Sequence, residues 1–328
     1  MKKEKEVIVW CITVPALLVV FLYAVNTGSL KVTPVQLFKG LFIAYNPQVA
    51  TVYDLRFPRI IVAMLGGAAT AVSGVLLQAV MKNPLADPGI IGVSSGASFV
   101  AVLVTAFVPS LYFYTPILAF IGGMAAFIMV YGFSWKGGLS PLRIILVGVA
   151  VNAMFTGLMS AFNSSTGSSY SGVSSIVNAN ITMKTWSDVR ILFVYTAIGL
   201  IASVFVLGKC NLLALEDKTA RSIGVNVTGT RITVSVIAVL LASISTAVIG
   251  PISFLGLIVP HIARLLVGSN HKVLVPYSIV LGALMLLCAD TLGRTIAAPY
   301  EISASVIMSV IGGPFFIILL RRSKKNYG

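Results

Sequence analysis

Apolar stretches of 16 to 22 residues recur along the whole of this sequence, and no segment between them is long enough to fold as a domain of its own. A helix needs about 20 such residues to cross roughly 30 Å of hydrocarbon. Each stretch is therefore long enough, or nearly so, to span a bilayer. Composition agrees. Of 328 residues, 58% are apolar and 10% charged, and the mean hydropathy of +1.00 exceeds what a water-soluble domain sustains. The chain reads as an all-α integral membrane protein.

Ten spans can be drawn: Val7 to Val25, Ile60 to Met81, Ile90 to Val108, Thr115 to Ser134, Ile144 to Phe162, Ile191 to Gly208, Ile232 to Ile249, Ile252 to Val267, Val273 to Leu292, and Ile302 to Leu320. The eighth is the weakest, being short and containing Pro260, His261 and Arg264, so hydropathy alone leaves nine or ten spans open. Lys and Arg concentrate in cytoplasmic loops, and their placement separates the two counts. Ten spans with a cytoplasmic N-terminus put 16 of the 23 Lys and Arg inside and leave Lys31, Lys39, Arg56, Arg59, Lys184, Arg190 and Arg294 outside. Dropping the eighth span inverts everything after it and gives 11 inside and 12 outside. The expectation is ten transmembrane helices with both termini cytoplasmic. The net charge of +14 then follows from topology and lends no support to nucleic-acid binding. The opening MKKEKEVIVWCITVPALLVVFLYAV has a longer apolar core than the 7 to 15 residues of a signal peptide, so it is read as a retained first span. Cys11, Cys210 and Cys288 show no paired spacing and are read as packing residues.

Several patterns punctuate the spans. Small residues at helical spacing in the second span, Gly66, Thr70 and Gly74 with Gly67 and Ala71, predict close backbone approach by neighbouring helices. Asn152, Thr156, Ser160 and Asn163 share one face of the fifth span, and Ser305, Ser309 and Gly313 form a thinner stripe on the tenth. Such faces either bond a neighbouring helix or line an aqueous route. The polar loop Asn163 to Arg190 is either a functional segment at the outer face or a flexible connector. The longest cytoplasmic loop, 209–230, can form a short helix over Leu212 to Ile223 with Glu216, Asp217 and Arg221 exposed and Gly224 ending it. That helix is either a docking element or an amphipathic connector.

The chemistry that is scarce narrows the classes. Ion-coupled carriers keep an ionisable residue well inside a span, whereas the nine acidic residues lie at ends or in loops, apart from Asp290 two residues from the outer end of the ninth span. His261 and His271 form no metal-protease motif, and no phosphate-binding lysine signature occurs. His261 is read as a hydrogen-bonded packing residue. A polar route, no internal energy source and a cytoplasmic docking segment describe a conduit that other subunits drive. An ion-coupled secondary carrier is the rival from another class; a membrane-embedded enzyme would need catalytic groups converging at one depth.

Specific motifs then carry a resemblance. RFPRIIVAMLGGAATAVSGVLLQAVMKNPLADPGIIGVSSGAS, Arg56 to Ser98, resembles the signature region of the FecCD family, permeases of ATP-driven importers for iron chelates, haem and cobalamin. ARSIGVNV (Ala220 to Val227), GPISFLGLIVPHIARLLVGSNHK (Gly250 to Lys272), ADTLGRTI and GGPFFIILL extend the likeness almost to the C-terminus. The resemblance implies a single permease domain over 1–328, of the ten-helix type found in cobalamin permeases. It implies as partners a second permease subunit, identical or homologous, two cytoplasmic ATPase subunits and an extracytoplasmic binding protein, in a bacterial plasma membrane. No cofactor is expected on this chain, and ATP-Mg belongs to the ATPases.

By the same resemblance Leu215, Glu216, Asp217, Ala220, Arg221, Ser222, Ile223 and Gly224 form the ATPase-coupling segment, and Arg56, Arg59 and Arg294 receive acidic residues of the binding protein. The alternative for each arginine is anchoring to phospholipid headgroups. Asn152, Thr156, Ser160, Asn163, Ser305 and Ser309 are the candidate translocation path. Before TWSD the chain reads SSIVNANITMK where the family commonly shows Trp and a Gly-Ser pair, which weakens any transfer of substrate by analogy. The expected cargo is a ferric siderophore, with haem or cobalamin as alternatives.

Overall fold

A computed structural model describes residues 2–28, 32–134, 141–166 and 173–323. Lys31, Lys136, Lys324, Lys325 and the 167–172 centre of the polar loop lie outside the described residues. Fourteen α-helices are present there: α1 (Lys2–Asn26), α2 (Pro34–Phe42), α3 (Pro47–Met81), α4 (Val93–Phe107), α5 (Thr115–Ser134), α6 (Pro141–Thr166), α7 (Val173–Val177), α8 (Trp186–Val204), α9 (Leu207–Leu213), α10 (Asp217–Ser222), α11 (Val227–Ile249), α12 (Leu255–Val267), α13 (His271–Ile296) and α14 (Ala304–Ser323). A 3-10 turn, Pro109–Tyr114, leads into α5, and no strand occurs among the described residues.

Seven helices are long and apolar enough to cross a membrane: α1, α3, α5, α6, α8, α11 and α13. Three shorter apolar helices, α4, α12 and the Ala304–Leu319 part of α14, complete the set of apolar segments read from sequence. At 1.5 Å per residue, the 13 residues of α12 reach only about 20 Å, which is why its hydropathy signal is the weakest. Irregular backbone precedes α4 and α12, at 82–92 and 250–254. Such backbone is tolerated at membrane depth only where protein surrounds it, and Asn83, Ala86, Asp87, Ile91 and Ile252 are all buried.

Helix α3 is the centre of the bundle. It packs on α8, α11, α12 and α13, while α1 stays peripheral, with most of its apolar side chains exposed. The small-residue face of α3 makes this possible. A Cβ on Gly74 would lie 2.6 Å from the Cα and carbonyl carbon of Gly256 in α12, and one on Gly67 would run into the Gly282 carbonyl of α13. Thr70 Oγ1 lies 2.9 Å from Ser245 Oγ of α11, which in turn donates to the Gly66 carbonyl at 3.0 Å. Gly96 of α4 and Gly122 of α5 approach in the same manner. Van der Waals contact and polar pairing thus replace the hydrophobic drive that lipid does not supply.

His261 packs edge-on against Phe315, with ring centroids 5.6 Å apart. Cys210 is buried, Cys288 half-buried and Cys11 exposed, none in a disulfide. No cluster of three or more His, Cys, Asp or Glu that could hold a metal occurs among the described residues.

Candidate functional site: a charged cleft and a short exposed helix

The arginines at the outer end sit on a helix rather than in a loop. Pro47 at the first helical position and the Asn46 side chain, which accepts from Gln48 N at 2.9 Å and Val49 N at 3.3 Å, start α3 thirteen residues before the expected span. Proline and an Asn cap are the strongest helix-start pairing a sequence can offer. Arg56 and Arg59, three apart, therefore share a face.

Arg59 is 6% exposed. Its guanidinium grips Asp290 of α13 through Nε, 3.0 and 3.1 Å from the two carboxylate oxygens, and through Nη2 at 2.8 Å. Nη1 donates to Glu301 at 2.9 Å. Glu301 Oε2 also accepts from Thr182 Oγ1 at 2.8 Å, and Arg294 Nε lies 3.2 Å from Asp290. Burial alone would raise the Glu301 carboxyl, but the Thr182 hydrogen bond and the Arg59 charge outweigh it and hold it below the usual carboxylate range. Planar bidentate contacts of this kind are the strong form of an ion pair.

The three arginines singled out in the sequence, Arg56, Arg59 and Arg294, are brought together around one cleft. Arg59 and Arg294 are neutralised from within the chain, by Asp290 and Glu301. Arg56 Nη1 donates to the Val25 carbonyl at 2.6 Å, and its side chain lines the same cleft.

That cleft measures about 1000 Å³ and is walled by Arg56, Arg59, Arg294, Asp54 and Glu301 with the segment Thr182 to Thr185. Two cavities adjoin the same segment. One of about 500 Å³ is lined by Tyr112, Asn178, Asn180, Met183, Lys184 and Asp188. The other, about 270 Å³, holds Arg59, Asn180, Thr182, Asp290 and Glu301. The polar loop is thus not a bare connector. Its short helix α7 buries Val173 and Ile176 against α4 and α11, and Gly250, at φ +79°, lets the α7 end come within contact of the α11 terminus. Asp188 fixes the start of α8 by accepting from Thr185 N and Oγ1, both at 2.8 Å, and from the Tyr112 hydroxyl. Lys184 Nζ lies 3.7 Å from Asp188, and burial lowers the lysine's pKa.

At the opposite end the expected helix over Leu212 to Ile223 is two pieces. Helix α9 ends at Leu213, and α10 runs from Asp217 to Ser222. The stop is as expected: Gly224 N donates to the Arg221 carbonyl at 3.0 Å, Val225 N to Ala220 O at 3.0 Å, and Gly224 takes φ +84°. This paired bonding around a left-handed glycine is a Schellman motif. Leu215, Glu216, Arg221, Ser222, Ile223 and Gly224 are exposed and Ala220 is buried. The Asp217 side chain is 38% exposed and also ion-paired. It binds Lys82 Nζ at 2.9 Å and Arg231 Nη2 at 3.0 Å, and the Lys82 hydrogen bond, ahead of both cations' charge, lowers its pKa.

The polar stripes fall among different neighbours, α6 on α4 and α5, α14 on α12 and α13. Thr156 and Ser160 are exposed, and Asn152 and Asn163 half-buried. Ser305 Oγ donates to the Pro251 carbonyl at 3.0 Å and Ser309 Oγ to Ser305 O at 2.8 Å, so on α14 the stripe is tied to backbone.

A bundle with seven helices long and apolar enough to cross a membrane, a charged cleft and a short exposed helix has the make-up of a polytopic membrane protein. Comparison with known proteins specifies which. The sequence profile of the FecCD transport family matches residues 16–322, and the chain belongs to that family. It is 42% identical over 325 residues, covering 99% of this chain and 98% of the relative, to the probable heme-iron transport system permease protein IsdF of Staphylococcus aureus strain Newman. The form from strain MSSA476 is 41% identical over the same length and coverage. Among solved structures, an inward-facing conformation of a metal-chelate type ABC transporter superposes with a TM-score of 0.77 at 26% identity, covering 98% of this chain and 99% of that one. PsaBC from Streptococcus pneumoniae shares the fold, with a TM-score of 0.59 at 18% identity over 87% of this chain and 95% of that one.

Proposed function

We propose that this chain is the permease subunit of an ATP-driven importer and that its cargo is haem, in place of the ferric siderophore expected from the family at large. One observation carries the cargo: the 42% identity, over almost the entire chain, to a protein named for heme-iron transport. In this reading seven long and three short apolar helices form ten membrane segments with both termini cytoplasmic. A second permease copy or relative completes the conduit. Two ATPases bearing ATP-Mg bind beneath it, and an extracytoplasmic binding protein delivers cargo from above.

Arg221 of α10 and Ile223 directly after it, both exposed, contact the ATPase. Arg56, Arg59 and Arg294, which wall the charged cleft, are the docking arginines for the binding protein, and steering by their charge makes association salt-dependent. The α6 face from Asn152 to Asn163, joined by Ser305 and Ser309, lines the route. An uncharged lining suits a conduit whose selectivity resides in the binding protein.

Uptake of radio-iron haem and of a radio-iron siderophore by membranes carrying the complete complex tests the reading. Haem entry that needs ATP is expected, and Arg221→Glu and Ser160→Leu should each depress it, the first with loss of the bound ATPase. Siderophore entry without haem entry would overturn the cargo, and entry of neither would overturn import of iron compounds.

A further inference from the structure

The turn between α3 and α4 is bound at both ends to elements that the proposed transport cycle must move. At its start, Lys82 closes α3 in a left-handed conformation, φ 49°. Its Nζ donates to the Leu215 carbonyl at 2.5 Å and to Asp217 at 2.9 Å, both at the head of α10. At its far side sits Asp87, wholly buried. Asp87 Oδ2 accepts from Gly89 N at 2.8 Å and Ile90 N at 3.1 Å, which folds the turn upon itself. Oδ1 faces the amide end of α12, toward the backbone N–H groups of Phe254 and Gly256, without the full geometry of a hydrogen bond.

Helix α12 has no side-chain cap of its own. The first amides of a helix are unpaired and carry partial positive charge, so the nearby Asp87 carboxylate is drawn electrostatically toward the start of α12. Asp87 is thus wholly buried, with one carboxylate oxygen on the turn's own amides and the other toward α12. Gln78 adds a second tie. Its Nε2 donates to Ala86 O and Gly256 O, each at 3.1 Å, and its Oε1 accepts from Arg264.

From α12 the contact continues to α14. Phe254, at φ 64°, presses its ring base on Gly312, where a Cβ would collide with it, and its ring centroid lies 6.1 Å from that of Phe316. A continuous line of hydrogen bonds and packed side chains therefore runs from α10 through 82–90 to α12 and α14.

We infer that the 82–90 turn is a strap that transmits displacement of α10 to α12 and α14, with Lys82 and Asp87 as positioning residues at its two ends. The inference rests on α10 being the ATPase contact. It differs from that assignment in placing the transmission in the α3–α4 turn rather than in α11, the helix that directly follows α10. Coupling between distant sites needs such a contiguous element with two arrangements, both biased by the same event.

The test uses the complete complex in proteoliposomes and reads haem uptake per ATP hydrolysed. Lys82→Ala alters a partly exposed side chain. It should leave ATPase co-purification and hydrolysis near wild type while the uptake ratio falls by about tenfold. Lys82→Arg, which keeps a cation near Asp217, should restore most of the ratio. Asp87→Asn, close in shape and still an acceptor for Gly89 and Ile90, should show the same uncoupling. An unchanged ratio in Lys82→Ala overturns the strap, as does loss of the ATPase from that variant alone, since Lys82 would then hold the docking helix and transmit nothing. Failure of the ATPase to bind the wild-type chain would instead overturn the assignment of α10.

Discussion

Replacing Arg59 with alanine should lower the stability of the folded chain by about 3–5 kcal/mol, the loss expected when one partner of a buried ion pair is removed. The reason lies in what remains. Asp290, 1% exposed, would keep a carboxylate facing Arg294 alone, and Glu301 would lose one of its two bonds while Thr182 stayed attached. The desolvation cost of these groups is offset at present by four hydrogen bonds from one guanidinium. The loss should therefore be strongly non-additive. Arg59→Met combined with Asp290→Leu should cost clearly less than the sum of the single changes, because no unmatched charge then remains at that contact. Unfolding in mixed detergent micelles measures both. A loss under 1 kcal/mol for Arg59→Ala would mean that Arg59 is solvated, and the account of the outer network would be wrong.

An effect of similar size is expected inside the bundle. Gly74→Val places its Cβ against the main chain of Gly256, 2.6 Å from two of its carbons. Overpacking a core commonly costs about 1–3 kcal/mol when side chains can shift. Here the obstacle is backbone, held by the Gln78 bond to Gly256 O, so α3 and α12 must separate. Folded, monodisperse protein should fall below detection in size-exclusion chromatography. Gly157→Val on α6 is the control, since nothing lies within 4 Å of its added Cβ, and the yield should be unchanged. Normal yield for Gly74→Val would refute the close approach of α3 and α12.

Both effects bear on what the sequence could disclose. Small residues at Gly66, Gly67, Thr70 and Gly74 are legible as packing because spacing of three and four places them on one face whatever the partner. The apolar segments are legible from their length and composition, and the structure separates seven long helices from three short ones by where regular helix begins and ends. The stop at Gly224 is local chemistry and reads correctly. Pairings between distant segments do not. Arg59 and Asp290 are 231 residues apart, and only the i, i+4 spacing of Asp290 and Arg294 hinted at an internal partner. The ion pairs of Asp217 are invisible in its own segment because its two cations, Lys82 and Arg231, come from other helices. Asp87 reads in sequence as a loop acid, since a carboxylate that lies against a helix starting 168 positions later leaves no local pattern. The early start of α3 was available in Asn46 and Pro47, a cap and first-turn pair that lay outside the apolar run.

The central claim is that the chain supplies a passage and no energy. Purified alone into proteoliposomes under proton and sodium gradients of either sign, it should accumulate no haem. With its ATPase subunits, binding protein and ATP added, haem should accumulate against its gradient. Concentrative uptake by the chain alone, driven by an ion gradient, would contradict the account.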